Sequence, residues 1–393
     1  MQLVERHVVK DNRFEDICTK SGLLCNFVTY HYRQSIFKQQ EYFTEFEMSK
    51  LCTEFNQVDY RNLPAQTSQQ VIKQVFINFK SWIQAKKEFI KNPHKFKGCP
   101  KLPGFKTGKK QNLVVFTNQN ARLKNGFIYF PKSSLLKPIK TNLTSFQQVR
   151  IVPKATCYIV EIVYNKEVDD LGLNKDNFLS LDLGLNNYVS AISNVDNSFI
   201  INGKIIKSFN CWFNKNKAKL QAYIGNKGTS KRLQNLNNYR NFWIEDKNHK
   251  ISRFIIDYCI TNNMGTIIVG KNKQWKTSIN LGHKVNQRFV EIPHAKLIDK
   301  IKYKAELVGI SVIETEESYT SKCDSLALES IQKHSNYLGK RVKRGLFQSS
   351  TGKLISSDIN GAINIARKVI GDSFVKGIIN SGLVFRPKII NIF

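Results

Sequence analysis

Three acidic positions lie in apolar or structured surroundings, where an acid is costly unless something binds it. Asp182 closes an apolar run in FLSLDLGLNN. Burying a carboxylate there is unfavourable without a cation or hydrogen bonds to offset it. Gly184 lets the backbone turn tightly beside it. Asp358 stands in SSDINGAINI, just ahead of an apolar helical pattern. Between them, VIETEESYTSK offers Glu314, Glu316 and Glu317 at the end of an expected strand. Period-two alternation puts Glu314 and Glu316 on one face and Glu317 on the other. Three carboxylates on adjacent elements can hold two divalent ions, and Mg²⁺ favours such hard oxygen donors while keeping some waters. Two ions about 3.5–4 Å apart can activate a water and stabilise the leaving oxygen of a phosphodiester. Each acid also has a plainer reading. Asp182 could cap the next turn, Asp358 could be a helix N-cap, and the glutamates could form a solvated strand end.

The composition gives such acids a use. The 393 residues carry 61 Lys+Arg against 30 Asp+Glu, a net charge of +31, with 41% hydrophobic and 23% charged residues. These are globular fractions, and the length allows two or three domains with real cores. A compact protein this basic repels itself unless a polyanion neutralises it, so nucleic acid is the expected partner. No run of 18 apolar residues suggests a membrane span, and Met1 to Asp16 has no apolar signal core. The eight cysteines form no C-x-x-C pair. That is a reduced, intracellular pattern, neither a disulfide framework nor a zinc ribbon.

The elements that must position the acids follow from periodicity. Gln2 to Lys10 reads as a strand. A helical region follows, including Leu23 to Phe37 and a helix opened by a capping box at Thr67 and Gln70. Val71, Ile72, Val75, Phe76, Phe79, Trp82 and Ile83 recur at helical spacing, as a packing face would. Residues 84–110 hold nine Lys and one acid, broken by Pro93, Pro100 and Pro103. Phe89, Phe96 and Phe105 interleave with these lysines, which favours a nucleic-acid contact over a solvated linker. Segments 113–131 and 149–165 read as strands, suggesting a sheet or small barrel interrupted by the helices. A Gly/Asn/Asp-rich joint at 169–177 marks a boundary. The second half alternates strands and helices, with strands near 178–183, 188–193, 266–269 and 309–313. Helices are expected over 288–306 and 359–369. This pattern predicts an α/β fold with a mixed sheet. Residues 203–253 carry twelve Lys/Arg and two acids. Trp212, Tyr239, Trp243 and Trp275 could stack on RNA or fill cores, and the core reading is preferred. Lys276 and Arg288 flank the expected active face and could touch the strand being cut, with an ordinary surface role preferred.

DLGLNN around Asp182, YTSKC from Tyr319 and SSDINGAINI around Asp358 occur in that order. They resemble the RuvC-like nuclease of the TnpB family, transposon-encoded RNA-guided DNA endonucleases related to type V CRISPR effectors and Fanzor proteins. QTSQQVIKQV and KFKGCPKLPGFK extend the resemblance over the N-terminal half. It implies a bilobed α/β protein. A wedge β-barrel would span 1–10 and 111–175, with a helical recognition domain over 11–110. An RNase H-like (RuvC) nuclease would span 176–371, including the basic helical segment 203–253 and a degenerate target-nucleic-acid-binding insertion at 320–357. Residues 372–393 would be a C-terminal tail. The family's activity would be Mg²⁺-dependent cleavage of DNA beside a short motif, directed by a guide RNA from the transposon end. The partners would be guide RNA and double-stranded target DNA, with one protein copy in the ribonucleoprotein and no membrane. The setting would be a prokaryotic cytoplasm and nucleoid, or a nucleus. Asp182, Glu317 and Asp358 would be the catalytic and metal-binding residues.

Two departures accompany the resemblance. Many members place the second acid after the strand that here reads TIIVG, where this chain has Gly270. A subset supplies it just before the T-S-K motif, which here is Glu317. Glu316 competes, and strand alternation favours it. The family's zinc ribbon is also missing: Cys323 stands alone, Leu326 takes its partner's place, and His334 cannot complete four ligands. No structural zinc is expected. Residues 331–357, with six Lys/Arg and no acid, would replace the ribbon as a basic loop at the cleft. Lys340, Arg341, Lys343 and Arg344 would bind nucleic acid. The competing readings are a guided DNA-binding regulator that no longer cuts, a guide-independent RNase H-like nuclease or transposase, and a structural RNA-binding protein.

Overall fold

The computed structural model describes residues 1–38, 42–225, 228–271 and 293–392. The chain divides into two units, Met1–Lys166 and Glu167–Phe393. In the first, β1 (Gln2–Val9) precedes four helices: α1 (Asn12–Phe37), α2 (Glu45–Glu54), α3 (Val58–Asn62) and α4 (Ala65–Lys91). The expected packing stripe is real. Val71, Ile72, Val75 and Phe79 are buried, with Phe76 and Trp82 partly so, in a core shared with α1. The capping box expected at Thr67 and Gln70 is not. Helix α4 starts at Ala65, directly after Pro64. The fixed φ of a proline suits a helix entry, so Thr67 already lies in the first turn, where its hydroxyl accepts from Asn120 Nδ2 at 3.2 Å. The capping box of this unit is Thr44 with Glu47, at the start of α2.

Beyond α4 the interleaved aromatics find protein partners. Phe89 and Phe96 meet edge to face at 5.7 Å, and the Arg33 guanidinium lies 5.0 Å from the Phe105 ring. The following strands are β2 (Val114–Thr117), β3 (Arg122–Lys124), β4 (Phe127–Tyr129), β5 (Ile139–Lys140), β6 (Gln148–Pro153) and β7 (Tyr158–Asn165). They form an antiparallel sheet of order β1-β7-β6-β2 and a ribbon β3-β4-β5. With β1 and β2 at its edges, the larger sheet is open rather than closed by hydrogen bonds into a barrel. The helices are inserted between its two edge strands.

The second unit is built on a six-stranded mixed sheet of order β12-β11-β8-β9-β10-β16. Its strands are β8 (Phe178–Asp182), β9 (Asn187–Ser193), β10 (Phe199–Asn202), β11 (Thr266–Gly270), β12 (Ser311–Thr315) and β16 (Lys388–Ile390). Both faces are covered, so the central strands read as continuous apolar runs. Leu179, Leu181, Ile267 and Val269 pack with α6 (Lys231–Thr261) and α7 (His294–Glu306). Phe178, Ile192 and Ile268 pack with α8 (Ser357–Ile370). Helix α5 (Lys204–Ile224) follows β10 and pairs with α6.

Several boundaries move for physical reasons. Gly309 turns at φ +78°, so β12 begins only at Ser311. Helix α7 begins after Pro293; the earlier part of the expected helix, Arg288 included, lies outside the described residues, as do Trp275 and Lys276. Residues 169–175 join the second unit through bonds such as Asp169 N to Leu307 O and Thr266 Oγ1 to Lys175 O. The expected tail is structural. Helix α9 (Ser373–Asn380) buries Val375 and Ile378, and β16 pairs in parallel with β10. The expected basic loop is a small antiparallel sheet of β13 (Lys340–Lys343), β14 (Leu346–Gln348) and β15 (Leu354–Ser356). Among the described residues, no helix is long and apolar enough to cross a membrane.

Candidate active site

Strands β8, β11 and β12 run parallel, with Leu181 beside Val269 and Gly270 beside Thr315. Their C-terminal ends therefore share one edge of the sheet. Asp182 ends β8, and Glu317 follows β12 by two residues. Helix α8 starts at the same edge. A Cβ added at Gly361 would lie 2.5 Å from Asp182 Oδ2, so this helix passes close over the carboxylate because the residue there is glycine. Asp358 is one turn earlier on the same helix, a spacing that puts both positions on one face. Its Oδ2 accepts from Asn187 Nδ2 at 2.6 Å. Gly270, where the resemblance expected an acid, makes room for one. A Cβ there would stand 2.6 Å from Glu317 Cγ and 2.7 Å from Glu317 Oε1. The structure thus brings Asp182, Glu317 and Asp358 together.

The other glutamates go elsewhere. Glu314 pairs with Lys271 at 2.8 Å and Lys302 at 2.7 Å. Burial pushes its carboxyl up, but these bonds outweigh it and hold the group below its usual range. Glu316 is exposed and accepts from Ser318 Oγ. Alternation misjudged this pair because β12 ends at Thr315, before either residue. The bend that follows is fastened by Lys368 Nζ, which donates to the carbonyls of Glu316 and Ser318 at 2.9 and 2.8 Å. Thr320 Oγ1 adds a bond to Glu317 O at 2.8 Å.

Charge at this edge is frustrated. Burial pushes the Asp182 carboxyl well above the usual range, Glu317 and Asp358 add to the rise, and Arg341 opposes it. Glu317 is pushed from 4.5 to about 7 by burial, against the pull of Lys368. All three side chains are still partly reached by solvent. Among the described residues, no group of three His, Cys, Asp or Glu side chains is preformed to hold an ion. The donor set nevertheless fits Mg²⁺. It offers hard oxygens only, their like charges repel, and glycines at 270 and 361 leave room where a Cβ would collide.

Sequence reasoning missed Asn187, Lys368 and Gly361. Asn187 lies in the DLGLNN motif that drew attention to Asp182, whereas Lys368 has no local signal. It also missed the network that ties together the insertion between β12 and α8. Asp324, fully buried, accepts from Leu326 N and Ala327 N through Oδ1, and from Ser349 Oγ, Ser350 N and Ser350 Oγ through Oδ2. Asn360 and Asn364 of α8 donate to Cys323 O at 2.9 and 2.7 Å. Cys323 Sγ meets Gln332 O at 3.6 Å, and His334 Nε2 lies 2.8 Å from Ser330 O. Lys340, Arg341, Lys343 and Arg344 are all exposed on or beside β13. The Arg341 charge reaches Asp182, which puts this basic strand near the carboxylates.

The site is thus a set of acids at one edge of a mixed α/β sheet with a basic strand beside them. Residues 161–276 match the family described as "Probable transposase" (OrfB_IS605), and residues 294–365 match the Cas12f1-like TNB domain. The chain is 31% identical over 161 residues to the CRISPR-associated endodeoxyribonuclease Cas12f1 of Sulfoacidibacillus thermotolerans, covering 38% of this chain and 34% of that protein. It therefore matches about a third of the length of this curated relative. A cryo-EM structure of a Cas12f1–sgRNA–target DNA complex has the same fold at TM-score 0.54 and 14% identity, covering 90% of this chain and 82% of that one. The chain is thus similar to the OrfB transposase family over 161–276, to the Cas12f1-like TNB domain over 294–365, and to Cas12f1 over about a third of its length.

Proposed function

We propose that this protein is the RNA-guided DNA endonuclease of a transposable element, cutting target DNA beside a short motif with Asp182, Glu317 and Asp358 as metal-binding catalytic acids. The observation that carries the reading is the fit of Glu317 into the space left by Gly270, beside Asp182. A chain that had lost nuclease function would have no use for three mutually repelling acids at one strand edge.

The chain's own groups have definite tasks in this reading. Asn187 orients Asp358, and Lys368 fixes the bend that aims Glu317. Lys340, Arg341, Lys343 and Arg344 attract the phosphate backbone toward the acids. Held by the three carboxylates, Mg²⁺ ions would supply a hydroxide nucleophile and charge stabilisation for the leaving oxygen. The guide RNA and double-stranded target fit the charge of +31.

The test is purification of the protein with its RNA, sequencing of that RNA, and challenge of a plasmid carrying matching sites. RNA of fixed sequence and linearisation only with Mg²⁺ support the proposal. Full target binding with intact DNA would instead identify a regulator. Equal cutting without RNA would identify a guide-independent nuclease.

A further inference from the structure

The hairpin of α5 and α6 carries aromatics that the core does not take up. Its base packs into the sheet through Ile206 and Ile244. Farther out, a stack begins at Trp243, whose ring lies 4.0 Å from Phe209 at 16°. Phe209 in turn stacks on Trp212 at 5.5 Å and 28°. The expectation that these aromatics fill cores holds for Trp243, which is partly buried against the core, as is its neighbour Phe209. It fails for Trp212 and Tyr239, which are 46% and 54% exposed, and Tyr223 beyond them is 89% exposed. Trp212 and Tyr239 meet at 6.1 Å and 75°. These three rings line a groove of about 800 Å³ between the helices, together with Lys219, Arg232 and Asn235. Among the described residues, no acidic side chain lines it.

We propose that this groove is a stacking platform for unpaired bases of the bound RNA. An aromatic stack that ends on an exposed indole offers a face on which a base can continue it. Lys219 and Arg232 supply the charge that a phosphodiester backbone requires. The groove lacks carboxylates, so it suits a strand that is held rather than cut. The proposal rests on the RNA-bound reading above, and its test needs no metal and no cleavage, so the two can fail separately.

The ribonucleoprotein is purified from cells grown with 4-thiouridine and irradiated without DNA. Uridine adducts should map to peptides containing Trp212, Tyr223 or Tyr239. In a second measurement, RNA release into heparin is timed for the wild type, for Trp212→Ala with Tyr239→Ala, and for Trp212→Phe. The double variant should release RNA roughly ten- to hundredfold faster, the loss expected for removing one stacked base. Its salt dependence should not change, because no cation has been removed. Trp212→Phe, which keeps a stacking face and guards against a folding artefact, should stay near the wild type. Adducts that map only to other peptides, or an unchanged release rate in the double variant, would overturn the proposal. So would a wild-type dimer that the double variant dissolves in sedimentation, since the groove would then be a self-association surface.

Discussion

Gly270 and Glu317 act as a pair: one residue gives up a side chain so that the other can occupy its space. Gly270→Ala puts a methyl group 2.6 Å from Glu317 Cγ and from Ile365 Cδ1. Overpacking of this kind costs about 1–3 kcal/mol. The expected result is a melting point lower by several degrees in calorimetry and cutting reduced at least tenfold as Glu317 is displaced. A variant with wild-type melting and cutting would separate Glu317 from the site. The acids also predict how the metal-free protein responds to pH. Glu317 is raised from 4.5 to about 7, so its folded form holds a proton that the unfolded chain releases earlier. That contribution to stability is present below about 4.5 and is lost as pH rises to about 7. Asp182, also raised, adds in the same direction. Thermal melts in EDTA should therefore fall over this window, and Glu317→Gln should flatten the fall. A wild-type melting point that is level or rises there would contradict the charge assignment.

At the scale of elements, the insertion between β12 and α8 is tied together by the buried Asp324 carboxylate. Asp324→Ala would leave the Ser349 and Ser350 donors without their acceptor, at about 3 kcal/mol or more in total. Hydrogen exchange should rise sharply over 323–350 while β8 and β9 stay protected; unchanged protection would remove Asp324 from that role. Neutralising Lys340, Arg341, Lys343 and Arg344 on the β13 edge should weaken DNA binding and flatten its salt dependence. An unaltered slope would place this strand away from the backbone. The elements were largely legible because burial on both sheet faces writes apolar runs into β8, β9 and β11, and because the α4 stripe has helical spacing. Thr67 misled because a proline entry and a capping box leave similar local patterns. The acids at 182 and 358 were legible from their motifs. The choice of Glu317 over Glu316 was not legible from alternation, since it depends on where β12 stops and on a lysine fifty residues away. The Asp324 network joins residues that are distant in sequence, which no local spacing reveals.

Across the whole molecule, a charge of +31 is the property most visible in the composition and least informative about chemistry. It calls for a polyanion without saying whether that partner is held or cut. In the proposed reading, the small set of acids at the sheet edge makes that distinction, and the basic surface brings a strand to it. The most direct measurement is plasmid cleavage in Mg²⁺ by ribonucleoproteins carrying Asp182→Ala, Glu317→Gln, Asp358→Ala or Glu316→Gln, each checked for unchanged target binding. The account predicts that the first three lose cutting while Glu316→Gln cuts like the wild type. Cutting at the normal rate by Glu317→Gln, with loss in Glu316→Gln, would contradict it.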